Sequence, residues 1–179
     1  RKQQEEWLEG LSRRLKLAID ISGIGIFETD FDAGTSEWDE GMRRIFEVEN
    51  DCDVQIGGFW ESKLHPEDRS RTLAHVAAKI AELKPFTDNY RIIAKDGSTR
   101  YIRSNSLPFM DHDGRLKMIG VNWDVTEDQR LRQELEQQKK EVEANTDLSD
   151  KERQKLLADL DLQKEALIKE AIERRQTGD

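Results

Sequence analysis

The side chains able to do chemistry near neutral pH are few, and their spacing argues against most of the chemistry they could do. There are three histidines, His65, His75 and His112, and one cysteine, Cys52. The histidines are scattered, with no pair at helical spacing that could present two ligands to one metal ion. Cys52 has no partner for a disulfide and stands between Asp51 and Asp53, whose charges disfavour a reactive thiolate. A glycine-rich nucleotide loop is absent. No histidine follows Thr126, which leaves this stretch without a phospho-accepting site.

The remaining candidates suit a cavity wall better than a reaction centre. Tyr90, Ile92, Tyr101, Met118 and Asn122 fall on three strand-like segments late in the chain and are the candidate pocket residues, with plain core packing as the competing reading. The tryptophans, Trp7, Trp38, Trp60 and Trp123, read as packing anchors.

The elements that position these residues centre on the run from Phe86 to Thr126. Asp96-Gly97 and Asp113-Gly114 each sit between segments rich in β-branched, aromatic and other apolar residues. Asp-Gly favours positive φ and is a strong hairpin signal. The third strand ends at Asp124-Val125-Thr126, and the T-x-x-Q of Thr126 to Gln129 reads as a capping box that starts a helix. A sheet that feeds directly into an exposed helix suits the export of a mechanical signal, so Asp124, Thr126 and Gln129 are the candidate transmission residues.

Upstream, Trp7, Leu8, Leu11, Leu15, Ala18 and Ile19 recur at helical spacing until Ser22-Gly23. Two short strands are predicted, Ile24 to Phe31 and a second ending at Trp38, then a helix from Asp39 to Phe46. Residues 51–58 read as loop, and Phe59 to Leu64 as one helical turn. Pro66, at a first helical position and followed by two acids, opens a helix whose apolar face is Leu73, Val76, Ala77, Ile80 and Leu83. Two strands, helices and three strands make an α+β arrangement on an antiparallel sheet. Beyond Thr126, Leu131, Leu135, Gln138 and Val142 form a short seam that the glutamine weakens. Ser149 to Glu152 is another capping box, ahead of an amphipathic helix from Leu156 to Ile172. Whether the two helices fold back as a hairpin or extend in a dimeric bundle stays open.

Bulk properties limit partners. The 179 residues are 37% charged and 35% hydrophobic, with the charge concentrated at the two ends and the aromatics in the middle. This divides the chain into an N-terminal helix (1–21), a core (22–126), a helix (127–145) and a second helix (149–175). A net charge of -9 argues against nucleic acid. No apolar run is long enough to span a bilayer. A lone cysteine fits a reducing cytoplasm. The absence of an initiating methionine suggests a piece of a larger protein.

Taken in order, Glu37-Trp38, HPEDR from His65 to Arg69, FTDNYRIIAKDGSTRYIR from Phe86 to Arg103 and GVNWDVTEDQ from Gly120 to Gln129 resemble a PAS domain with its C-terminal PAC segment. This subgroup is common in bacterial sensor kinases and cyclases. The resemblance spans about Leu15 to Gln133. It implies a five-stranded antiparallel sheet with helices over one face, a small hydrophobic pocket, and an N-terminal helix packed on the outer sheet face or on a partner subunit. It further implies a regulatory, non-catalytic module, homodimeric through its N- and C-terminal helices and covalently linked to an output domain. The pocket could take a small molecule, or haem or flavin as alternatives, although no cofactor is the favoured expectation. His75 lies on the helix where haem-binding members carry their axial ligand, offset by a residue or two. Cys52 lacks the Asn-Cys-Arg context of flavin photosensors. The run Ala144 to Leu148 faintly resembles the start of diguanylate cyclase domains, but Ser149-Asp150-Lys151 does not continue it and no GGDEF sequence follows.

Overall fold

The computed structural model describes residues 1–49, 54 and 58–177, with side chains to residue 173. Cys52 and most of the predicted loop lie outside the described residues. Helix α1 (Lys2–Ser22) leads to β1 (Gly25–Asp30) and β2 (Thr35–Trp38), then α2 (Glu40–Phe46), α3 (Phe59–Lys63) and α4 (Pro66–Glu82). Strands β3 (Phe86–Ile93), β4 (Thr99–Met110) and β5 (Leu116–Asp124) follow, and α5 (Thr126–Ala144) and α6 (Asp150–Thr177) end the chain. The chain divides into two compact units, Arg1–Val125 and Thr126–Asp179.

In the first unit the five strands form one antiparallel sheet in the order β2-β1-β5-β4-β3. Both Asp-Gly turns behave as predicted. Gly97 and Gly114 hold φ of 84° and 74°, a region that costs glycine little and other residues more. One sheet face carries the core, with Phe27, Met42, Phe46, Leu64, Ile92 and Ile102 packed together. Strand alternation sets this: Ile102, Ser104, Ser106 and Pro108 are buried, while Arg103, Asn105 and Leu107 are exposed.

Two tight features hold helices to that sheet. Gly41 lies against the Ile24 carbonyl and Gly25 against Met42, so closely that a Cβ on either glycine would collide with backbone. Asp39 caps α2 by accepting from Met42 N at 2.9 Å, and the same oxygen accepts from Ile26 N at 2.9 Å, tying the helix start to β1. At the far edge, Asp68 in the first turn of α4 grips Arg91 of β3. Arg91 Nη2 and Nε donate to its carboxylate at 2.7 and 3.0 Å, and the Arg91 backbone N–H donates at 2.9 Å. These charge-assisted bonds hold the Asp68 carboxyl down to about 2. Helix α4 ends earlier than its apolar stripe suggests, because Leu83 adopts φ 52° as the C-cap and is exposed.

Helix α1 buries no residue. Trp7 is 66% exposed, which corrects its reading as a packing anchor, and Leu8, Leu15 and Leu17 are more than half exposed. Its expected packing on the outer sheet face does not occur within this chain.

In the second unit the open question resolves to an antiparallel hairpin. Leu131 and Leu135 of α5 border Leu167, Ile168 and Ile172 of α6, while Val142 borders Leu156 and Leu160. Lys139 pairs with Asp161 across the two helices. The second capping box forms as read: Glu152 accepts from the Ser149 backbone N–H at 2.9 Å, and Ser149 Oγ accepts from Glu152 N at 3.3 Å. Among the described residues no helix is long and apolar enough to cross a membrane.

Candidate ligand pocket and exit strand

Between the inner sheet face and α4 lies a cavity of about 240 Å³. Its helical wall comprises Leu73, Val76, Ala77 and Ile80 of α4 with Trp60 and Glu61 of α3. The floor comes from alternate residues of the strands. Phe27 and Thr29 lie on β1, Ser36 and Trp38 on β2, Asp88 and Tyr90 on β3, Ser104 and Ser106 on β4, and Met118 and Asn122 on β5. Gly120 belongs to the same floor. The Phe27 ring lies so close over it that any side chain there would strike the ring.

Three of the five predicted pocket residues, Tyr90, Met118 and Asn122, line this cavity. Ile92 and Tyr101 do not. Ile92 has inward parity but sits further along β3, fully buried in the core beside Leu64. Tyr101 pairs with Arg91 on the opposite parity to Ile102, so it lies on the outer face of the sheet. Sequence reading missed the polar floor of Thr29, Ser36, Asp88, Ser104 and Ser106. The signal was present: Ser104 and Ser106 alternate with exposed residues in register with Ile102. Trp38 and Trp60, read as anchors, also face the cavity.

The polar groups of the floor are partly mutually satisfied. Trp60 Nε1 donates to the Tyr90 hydroxyl at 3.2 Å, with the two rings edge to face. Burial pushes the Tyr90 hydroxyl far above its ordinary pKa, so it stays protonated. Trp38 Nε1 donates to Ser36 Oγ at 3.2 Å, and Thr29 and Ser36 hydroxyls share a bond of 3.0 Å. Asn122 Nδ2 contacts Met42 Sδ at 3.2 Å.

His75 is half-buried on α4 but is not among the cavity-lining residues. Its ring packs edge-on against Phe86, and its Nε2 is buried. Among the described residues the lining also holds no lysine or arginine to meet a haem propionate or a flavin phosphate. The volume falls below the roughly 300–1,000 Å³ typical of pockets for drug-sized ligands. These residues do not fit haem or a flavin nucleotide. The metal-like grouping among the described residues, Asp111, His112 and Asp113, is a largely exposed turn in which Asp111 already accepts from the Asp113 and Arg115 backbone amides.

The exit from the core is direct. Val125 N donates to the Tyr101 carbonyl at 2.8 Å, and α5 opens at the next residue, Thr126. Asp124 is exposed at the strand end, and Gln129 is half-buried in the first turns of α5.

A five-stranded antiparallel sheet in this order, with short helices over one face and a cavity between, defines a PAS domain, and the family model of the PAS fold matches residues 35–122. The same fold appears in a sensory box histidine kinase/response regulator from Burkholderia thailandensis. That match has 23% identity and a TM-score of 0.60, and covers 74% of this chain and 99% of the other. A PAS domain from Colwellia psychrerythraea matches at 23% identity and a TM-score of 0.52, over 65% of this chain and 98% of that one. Among curated proteins, the probable diguanylate cyclase DgcE of Escherichia coli is 29% identical over 147 residues. That alignment covers 82% of this chain and 13% of the relative, so the chain spans about one eighth of that protein's length. The chain thus contains, over residues 35–122, a PAS domain of the kind found in signal-transduction proteins, a regulatory type of module.

Proposed function

We propose that this chain is the input and relay module of a larger bacterial signalling protein, binding a small molecule in the core and passing its occupancy through Asp124–Thr126 to α5. One observation carries the reading. Strand β5 forms part of the cavity floor through Met118 and Asn122, and a single residue, Val125, separates that strand from helix α5. A change in the packing of β5 therefore reaches the start of a helix without an intervening flexible loop. Bistable, well-packed elements convert small shifts of this kind into discrete states.

The output domain is covalently linked beyond this stretch and is of the cyclase or kinase class, as in the relatives. The module works as a homodimer in the cytoplasm. The exposed apolar stripe of α1 supports the dimer, since it presents leucines at helical spacing. Hydrogen–deuterium exchange tests the relay. Ala77→Phe, which projects a ring into the cavity, is expected to alter exchange of the amides at 126–135 as well as those of α4 and β5. Changes confined to the cavity walls would remove the relay. Light scattering that gives a monomer at every protein concentration would remove the dimer.

A further inference from the structure

The cavity holds two buried oxygen atoms that the fold leaves without a hydrogen-bond partner, Asp88 Oδ2 and Asn122 Oδ1. Both residues line the cavity, at 6% and 1% exposure. Asp88 is otherwise well held. Its Oδ1 accepts from Arg71 Nη1 at 3.2 Å and from Asn89 N at 2.8 Å, while Arg71 Nη2 reaches the Asn89 carbonyl at 2.8 Å. Arg71 approaches from the rim, with half its side chain in solvent, and leaves the second oxygen unpaired. A buried acceptor with no donor is costly, and more so on a carboxylate.

The indole donors nearby are already committed. Both cavity tryptophans give their indole N–H to protein oxygens, Trp60 to Tyr90 and Trp38 to Ser36. The Tyr90 hydroxyl, which accepts from Trp60, still has its own proton to donate, so the charged group left unmet is the Asp88 carboxylate oxygen. The charge of the site has the same sense: the described lining contains two carboxylates, Asp88 and Glu61, and no lysine or arginine. The sequence of 50–57 adds no cationic residue. Aromatic rings from Phe27, Trp38, Trp60, Phe86 and Tyr90 make up much of the remaining wall, and ring faces attract cations. In size, the cavity exceeds the ~150 Å³ that admits benzene and equals about eight waters at ~30 Å³ each. One ring with a short arm fits.

From this we infer that the ligand is a small organic amine, a single-ring or similarly compact apolar body bearing a protonated nitrogen that donates to Asp88 Oδ2, with Asn122 Oδ1, two strands away across Ser104, left to a second polar group. The inference rests on the pocket reading above and narrows it to one chemical class. Carboxylates and phosphates are disfavoured, because the lining offers them no lysine or arginine and the cation at the rim, Arg71, is already paired with Asp88.

Three shape-matched probes test it on the full chain by calorimetry and by quenching of tryptophan fluorescence: 2-phenylethylamine, 2-phenylethanol and 3-phenylpropanoate. The amine is expected to bind about tenfold or more tighter than the alcohol, and the carboxylate about tenfold or more weaker. Asp88→Asn keeps the shape and removes the charge. It is expected to bring amine and alcohol within about threefold of each other while the alcohol's affinity holds. Glu61→Gln, on the more open helical wall, is the second variant and is expected to reduce the same ratio by less. If the wild-type chain binds all three probes equally, or prefers the carboxylate, the inference is overturned and the pocket reading survives. If no probe of any class binds, the pocket reading is overturned and the inference with it.

Discussion

The two units of this chain are held together by different physics. In residues 1–125, contacts distant in sequence do the work. Asp68 meets Arg91, Glu47 meets Arg100 with an N–O distance of 2.6 Å, and Gly41 packs on the Ile24 carbonyl. In residues 126–179, most ion pairs lie one helical turn apart, as in Arg130 with Glu127 and Glu134 or Arg153 with Asp150, and Leu135 and Leu160 are the buried leucines among the described residues. Exposed pairs at this spacing contribute little, because solvent screens them. The core is therefore specified by its tertiary packing, whereas the hairpin rests on a thin apolar seam. The leucines that face α6 in the hairpin are the same ones that would face a second copy in a coiled coil.

Substitutions should separate the two units. The largest effect is expected for Gly41→Ala. Its Cβ has no room against Ile24, and the core should lose about 3 kcal/mol or more, seen as a large drop in the core's thermal midpoint with α5 and α6 helicity retained. Next, Leu160→Ala should weaken the hairpin by about 2–3 kcal/mol and accelerate amide exchange in α5 and α6, leaving the core midpoint in place. A shift of both units together would show that they unfold as one.

The Asp68–Arg91 clamp gives a pH-dependent test. Asp68 has its folded pKa lowered from 3.8 to about 2, so it contributes stability above pH 4 that is lost as pH falls toward 2. The contribution is about 2 kcal/mol. Asp68→Asn should remove it at pH 7 and flatten the acid limb of the core's stability profile; an unchanged acid limb would assign that loss to other carboxylates. The smallest effect is expected at Ser149→Ala, which removes one arm of a capping box. It should cost about 1 kcal/mol, confined to exchange at the start of α6.

Much of the core was legible in the chain because local signals and tertiary structure agree there. The two Asp-Gly turns, proline at the start of α4 and the alternation of β4 each give an element without knowledge of its neighbours. The cavity was legible only in part. Tyr90 and Asn122 are visible as odd polar groups in buried strands, but Tyr101 shows how one residue of parity sends a side chain to the other face. Asp88 was missed because a lone acid in a strand reads as solvent-facing. Its burial depends on Arg71, which lies 17 residues earlier on a helix. The fold-back of α6 onto α5 was undecidable because an apolar stripe specifies that a face is covered, not by what.

The single residue between β5 and α5 has a consequence for recombination. Val125 is pinned to Tyr101, and the first turn of α5 follows it directly. Each residue inserted into a continuous helix turns everything after it by about 100° and advances it about 1.5 Å. Fusing a helical output directly onto α5 in place of the turn and α6, so that the helix runs on unbroken, should give an output that varies in steps of helical phase, with insertions of seven residues tolerated and insertions of two inverting it.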